Sequence, residues 1–405
     1  MMNKEREYVA DNFKYMKILL PEGKYIKKID INENDLEIEF SERKKVALLF
    51  ISINDRYWPY LTQVIKDCKK NFLPQHKVDY FVWTDYNEKS KEKLLAGLGE
   101  FLKKYIEAES KQESLNAFLG VFAQIIKLYE IFYPAQVQGS LQNLASKGLV
   151  LKREANQFWL ESSVPPTEEH IKLIYEEVRK ILECALVDVG ETLREVILSE
   201  TEPIEWPHPT LMRYHLFLQQ EEKLKDYDYI FYMDADMRVV AKISDEIMGE
   251  GLTAAEHPMY ALRKHYIPPY EPNPNSSAYI KRPGKVVNEN GVPRFKPYYY
   301  AGGFLGGKTK PFLEAMRVMK KNIDKDFDNN YIAVWNDESH WNKYLSENEP
   351  GIVLSPSYIY PDSLIKEYYE PAWGCSYEPK IITLTKPFTL SMQGAEEINK
   401  VIKGI

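Results

Sequence analysis

Three stretches of this chain carry residue types that do chemistry. The first is Asp234-Ala235-Asp236, directly after the apolar run Tyr229 to Met233. Two carboxylates one residue apart at a strand end offer hard oxygen ligands to a divalent cation and leave positions open for phosphate. A solvated strand end gives the same pattern, and D-x-D recurs by chance about once or twice in so acidic a chain. Position favours the cation site, because ligands bind at the carboxyl ends of strands in open α/β sheets. The second stretch is Trp335-Asn336-Asp337-Glu338-Ser339-His340-Trp341-Asn342-Lys343-Tyr344. Read as a helix start, it puts Asp337 and Glu338 in the first turns, where the dipole accommodates negative charge. A buried Glu beside a sugar's anomeric carbon acts as nucleophile or stabilises an oxocarbenium ion. A charge cluster that only caps the helix is the plainer alternative, and His340 reads as a core histidine. The third is Tyr298 to Gly307, YYYAGGFLGG, whose four glycines mark a strand and turn closely approached by another group. That group is either a sugar donor or a neighbouring backbone. There is no Walker A sequence and no GxGxxG after a strand, so P-loop and Rossmann dinucleotide readings lose support.

The elements that must position these residues follow from periodicity. Val46 to Ile53 is a continuous apolar run suited to a strand covered on both faces. Leu61, Val64, Ile65 and Cys68 give a helix over about 59–72, and Val78 to Trp83 gives a second buried strand ending at Thr84-Asp85. Strand, helix, strand implies a parallel sheet. Residues 87–205 differ: three helical faces are legible, around Leu94 to Ile106, Phe118 to Tyr129 and Ile171 to Val189. Between the last two, a helix, Gly148 and two short extended runs suggest a winged-helix-like hairpin or a generic one. The α/β pattern resumes with a helix over 212–224 and the strand before Asp234. A loop is expected over 265–297, then helices over 311–323 and 331–344, then a mixed tail that packs over the site. The domain reading is a body from 1–86 and 206–405 with a mostly helical insertion at 87–205.

Composition narrows the function class. The 405 residues carry a formal net charge of −7 with 28% charged residues, which disfavours nucleic acid as a partner. The N-terminus has no apolar run of signal or membrane-span length, and the three cysteines (Cys68, Cys184, Cys375) lack CxxC spacing. The expectation is a cytoplasmic protein without a transmembrane segment, a disulfide framework or a zinc site.

Taken together and in this order, RYHLFLQQEEKLKDYDYIFYMDADM, AEHPMY, YEPNPNSSAYI, YYYAGGFLGG, NNYIAVWNDESHWNKYL and VLSPSYIYPD resemble glycosyltransferase family 6, the family of the histo-blood-group A and B transferases and α-1,3-galactosyltransferases. The resemblance covers the chain outside 87–205. It implies a GT-A fold, a Rossmann-like mixed sheet with helices on both faces, here with the helical insertion added. It implies a retaining hexosyltransferase (EC 2.4.1.-) that moves N-acetylgalactosamine or galactose from a UDP-sugar donor to a galactoside glycan acceptor in α-1,3 linkage. Asp234 and Asp236 correspond to the manganese-binding pair, and Glu338 to the candidate nucleophile. Tyr57, Arg213, Asp234, Ala301, Gly302, Gly303 and Asp337 correspond to donor contacts. His257, Trp335 and, one residue displaced, Asp362 correspond to acceptor contacts. Small residues at 301 and 303 imply room for an N-acetyl group. Arg213 and a tail lysine, Lys380 or Lys386, are expected to add positive charge at the pyrophosphate. Asn336 departs from the histidine common in the family, which bears on the acceptor. The insertion has no counterpart there: a partner surface, an oligomer interface and a cover over the site stay open. Rival readings are another UDP-hexose transferase and a silent glycan-binding or scaffold protein.

Overall fold

The structure, a computed structural model, describes residues 5–10, 13–19, 23–31, 36–107, 125–154, 157–162, 167–261, 268–281, 284–287, 293–296, 298–363 and 377–385. Two antiparallel hairpins come first, β1 (Glu5–Ala10) with β2 (Phe13–Leu19) and β3 (Lys24–Ile31) with β4 (Leu36–Glu42). Next is the expected unit of β5 (Lys45–Ser52), α1 (Trp58–Asn71) and β6 (Lys77–Thr84), its strands parallel from Lys45 opposite Lys77 to Ser52 opposite Thr84. Val46 to Phe50 are fully buried because both sheet faces are covered. Side chains alternate: Val46, Leu48 and Phe50 join Leu61, Val64 and Ile65 of α1, while Ala47 and Leu49 join a second core with Phe217, Phe312 and Met316.

Helices α2 (Glu88–Glu107), α3 (125–132) and α4 (Pro134–Ser146) lead to a hairpin, β7 (Leu149–Glu154) with β8 (Gln157–Ser162), and then to α5 (Glu168–Leu193). Gly148, at φ 81°, turns the chain out of α4. Ile126, Tyr129, Val137, Leu144, Ile174, Val178 and Ile181 form a core of their own that takes in Tyr60 of α1. This segment does not stand apart from the sheet, however. Leu186, Val189 and Leu193 of α5 enter the main core, and β9 (Ile197–Glu200) pairs with β6 as an edge strand. The sheet therefore takes the chain back at Ile197, before the expected boundary at 205. A half-exposed strand of only four residues carries too little periodicity to be read from sequence.

Helices α6 (His208–Leu211), α7 (Arg213–Leu218) and α8 (Glu221–Leu224) replace the single helix expected over 212–224. They precede β10 (Tyr229–Met233), β11 (Met237–Val239) and β12 (Leu252–Glu256). Within the expected loop, β13 (Gly284–Val287) and β14 (Pro293–Lys296) form a hairpin; 262–267, 282–283, 288–292 and 297 lie outside the described residues. The glycine-rich stretch is a full strand, β15 (Tyr300–Lys308), followed by α9 (Thr309–Asp328) and α10 (Asn336–Glu347). Residues 331–335 are a turn and an extended link, not helix. Three short strands end the described chain: β16 (Ile352–Leu354), β17 (Tyr360–Pro361) and β18 (Ile381–Thr383).

The main sheet has seven strands in the order β16-β12-β15-β10-β5-β6-β9. All run parallel except β15, which is antiparallel to both its neighbours. The carboxyl ends of β5, β6, β10 and β12 therefore share one edge with the amino end of β15. Helices cover both faces, so the α/β architecture is as expected. Among the described residues no helix is long and apolar enough to cross a membrane.

The glycines of β15 split into two pairs. A Cβ on Gly306 would lie 2.3 Å from the Ile230 carbonyl oxygen, and one on Gly307, at φ 135°, 2.4 Å from that of Gly251. These two are small because neighbouring strands press on them. Gly306→Ala is expected to destabilise the fold by about 2–3 kcal/mol through overpacking, read as a lowered urea midpoint at unchanged slope. A midpoint equal to wild type would refute that close approach.

Candidate active site

The strand ends at the shared edge set out the site. Beyond β5 the chain turns at Asn54, whose φ of 89° is held by the buried Asp85 at the end of β6. Asp85 accepts the Asn54 amide at 2.9 Å and the Trp58 indole N–H at 3.0 Å, which fixes the turn that carries Tyr57. Beyond β10 lies Asp234, whose N–H bonds the Gly303 carbonyl at 2.9 Å. Asp236 is buried, and its carbonyl accepts the Leu384 amide at 3.0 Å.

Arg213 joins the three stretches. Its side chain is 4% exposed, its Nη1 donates to the Gly302 carbonyl at 2.7 Å and lies 2.8 Å from Asp337 Oδ2, and its Nη2 reaches Asp234 Oδ1 at 3.3 Å. The guanidinium sits 4.0 Å over the Tyr232 ring, whose hydroxyl bonds Asp234. With two carboxylates, a carbonyl and a ring around it, the buried guanidinium of Arg213 ties the acidic groups together, while its Nε has no hydrogen-bond partner among the described residues.

Glu338 faces the same strand. Its Oε2 accepts the Gly302 amide at 2.7 Å, so consecutive glycines of β15 touch Glu338 and Asp234. A Cβ on Gly302 would come within 3.2 Å of Glu338 Cβ. Burial raises the Glu338 pKa, opposed by the Tyr299 hydroxyl, the Gly302 amide and Arg213. Burial also pushes Asp337 up to about 6; Arg213 opposes the shift and Glu338 adds to it.

Ala301 is buried. The direction a side chain would take from Gly303 is already filled, with Met237 Cε at 2.5 Å, Asp234 Oδ2 at 2.8 Å and Ile359 Cδ1 at 3.0 Å. The room expected there for an N-acetyl group is thus taken by Met237 and Ile359. His257 donates its amide to the Tyr299 carbonyl at 3.0 Å, and its ring packs against Tyr260 and Tyr299. Trp335, 49% exposed, is the N-cap residue of α10 on the rim. Asp362 is exposed and bonds the amide and hydroxyl of Thr385, so it holds the tail strand. Lys380 corrects an expectation: its Nζ bonds Glu246 at 2.6 Å and the Tyr358 hydroxyl at 3.1 Å, so its charge is already paired. Lys386 lies outside the described residues.

Sequence reasoning missed Tyr232, Met237, Tyr299 and Asn342. Tyr232 was legible in principle: period two puts it on the face of Asp234. The others look like ordinary strand or helix filling.

For a divalent metal the donor set is two carboxylates, Asp234 and Asp236. Among the described residues no group of three or more His, Cys, Asp or Glu stands ready to hold an ion. A pair of hard oxygens fits a cation that completes its sphere with phosphate and water, and does not fit a closed structural site.

An open α/β sheet with one reversed strand, and an acidic pair at its carboxyl edge, is consistent with a GT-A-like architecture. Residues 187–368 match Glycosyltransferase family 6, and over that segment the chain is similar to the family. Histo-blood group ABO system transferase 1 of Rattus norvegicus is 30% identical over 181 residues, 44% of this chain and 49% of that protein. O-antigen biosynthesis glycosyltransferase WbnI of Escherichia coli is 31% identical over 158 residues, 39% of this chain and 62% of that protein. Globoside alpha-1,3-N-acetylgalactosaminyltransferase 1 of Homo sapiens is 31% identical over 159 residues, covering 39% and 42%. The chain spans about half the length of these curated relatives. The match begins at residue 187, inside the segment read as an insertion, where α5 enters the main core.

Proposed function

We propose that this chain is a retaining glycosyltransferase that moves N-acetylgalactosamine or galactose from a UDP donor, in α-1,3 linkage, onto a galactoside. One observation carries the reading: Glu338 and Asp234 contact adjacent glycines of β15, with Arg213 bonded between them. Asp234 and Asp236 would hold Mn²⁺, which when bound supplies positive charge to the leaving pyrophosphate. The Asn54–Tyr57 turn, fixed by Asp85, would present Tyr57 to the uracil. Glu338, whose charged form the Gly302 amide favours against the effect of burial, would stabilise positive charge at the anomeric carbon or attack it, and the acceptor hydroxyl would enter from the side of the departing UDP. Arg213 would keep Asp337 toward the donor sugar and Asp234 toward the metal. His257, Trp335 and Asp362 would meet the acceptor. With Gly303 crowded by Met237, preference for an N-acetyl group would rest on Ala301. The sparse cysteines support a reducing compartment.

The test is UDP release and sugar transfer with UDP-N-acetylgalactosamine, UDP-galactose and UDP-glucose on galactoside acceptors, with manganese and with chelator. Turnover of the first two donors, lost with chelator and giving an α-linked product by NMR, is expected. Turnover of UDP-glucose alone would point to another retaining transferase. No release from any donor with manganese present would leave a glycan-binding or scaffold role.

A further inference from the structure

The amino end of β15 has a backbone problem that α10 solves. β10 pairs with β15 only as far as Met233 opposite Phe304, with one more bond from Asp234 N to Gly303 O. Tyr300 and Gly302 lie past that limit, and on the β12 side the register breaks between Ala254, opposite Leu305, and Glu256, opposite Tyr300. Their buried N–H and C=O groups still need partners. For Gly302 these are Glu338 Oε2 at 2.7 Å and Arg213 Nη1 at 2.7 Å. For Tyr300 they are the two ends of one side-chain amide: Asn342 Oδ1 accepts its N–H at 2.8 Å, and Asn342 Nδ2 donates to its C=O at 2.8 Å. The same Nδ2 donates to the Glu338 carbonyl at 2.9 Å. Donor and acceptor chemistry fixes which way the amide faces.

The spacing explains the fit. Glu338 and Asn342 are four apart on one helix face, a rise of about 6 Å. Tyr300 and Gly302 are two apart on a strand, about 6.8 Å. The helix face thus supplies hydrogen-bond partners of the kind a strand would, and Asn342, 1% exposed, acts as a peptide group. Its bond back to the carbonyl four residues earlier does not strengthen the helix and tends to bend it. Its use is register.

We propose that Asn342 is the positioning residue of Glu338: it locks α10 to the amino end of β15 and so sets the carboxylate against the Gly302 amide. This rests on the reading of Glu338 as the reacting carboxylate. Groups facing Glu338 are Arg213 from α7, Asp337 on α10 and Tyr299 before β15.

The test compares Asn342→Asp, Asn342→Ala, Trp341→Phe and Glu338→Gln. Asn342→Asp keeps the size and the acceptor but loses both donations. Asn342→Ala removes all three bonds without adding charge and serves if the aspartate variant does not fold. Trp341→Phe loosens the packing of α10 against Phe312 of α9 without removing any of the Asn342 bonds. Expected for either Asn342 variant is a kcat about tenfold to a hundredfold lower, a UDP Kd within about twofold of wild type, and an acid limb of kcat moved to higher pH, because Glu338 has lost the amide that favours its ionised form. Trp341→Phe should keep kcat and the acid limb at a similar loss of Tm. Unchanged kcat and acid limb in the Asn342 variants, or an equal fall in Trp341→Phe, would overturn the proposal. Full activity in Glu338→Gln would instead overturn the reading beneath it.

Discussion

Glu338→Gln is expected to cut transfer by about three orders of magnitude or more and to leave UDP affinity within a few fold. Glutamine has the same length, and its Oε can still accept the Gly302 amide, so the pocket keeps its shape. What disappears is the negative charge. If that charge attacks the anomeric carbon or balances an oxocarbenium ion, its loss falls wholly on the transition state and lowers kcat rather than raising KM. In the proposed reading the nucleotide end is the turn after β5 with Asp234 and Asp236, which the substitution does not touch. The pH profile adds a second check. Burial raises the Glu338 pKa, with Tyr299, Gly302 and Arg213 opposing, so wild-type kcat should fall as pH drops through a limb above the ordinary glutamate range. Asp337, pushed to about 6, titrates nearby. A limb lost in the glutamine variant belongs to Glu338, and one that persists belongs to Asp337. Steady-state kinetics and UDP calorimetry across pH 5 to 8 make the measurement; retained turnover would remove Glu338 from the chemistry.

How much of this was readable in advance depends on the reach of each signal. The β5-α1-β6 unit was plain because continuous apolar runs and helical spacing are local. Asp234 and Asp236 were legible as a pair because they directly follow an apolar strand. The stretch 298–307 was read as a strand and turn because four glycines usually mark a turn; here crowding by Ile230 and Gly251 makes small residues obligatory inside a central strand. Nothing local announces that β9 rejoins the sheet, since its partner β6 lies more than a hundred residues earlier in the chain. Nor does spacing show that Lys380 is held by Glu246 while Arg213 is folded into the acidic centre. A cation's partners are a tertiary fact; the sequence supports only the expectation that Arg213 and Lys380 or Lys386 add positive charge at the pyrophosphate.

Arg213 is where that difference has the largest consequence for stability. Arg213→Met keeps the aliphatic stem and removes the guanidinium, taking the counter-ion from the buried Asp337 and one cation from the part-exposed Asp234. Breaking a buried pair in this way costs about 3–5 kcal/mol, far more than a surface charge deletion. The pH dependence has a definite sign. Asp337 already has a folded pKa of about 6, above the ordinary aspartate range. Between that range and 6 the unfolded chain gives up its proton first, so stability falls as pH rises. Without Arg213 the folded pKa climbs further and the falling window extends upward. The gap between wild type and Arg213→Met should therefore be wider at pH 8 than at pH 5 in urea titrations. Arg213→Lys restores one charge but cannot span Gly302, Asp234 and Asp337 together, so it should recover part of the stability and little of the turnover. A gap that narrows from pH 5 to pH 8 would mean that Asp337 is not the group Arg213 holds ionised, and the central ion pair would have to be redrawn.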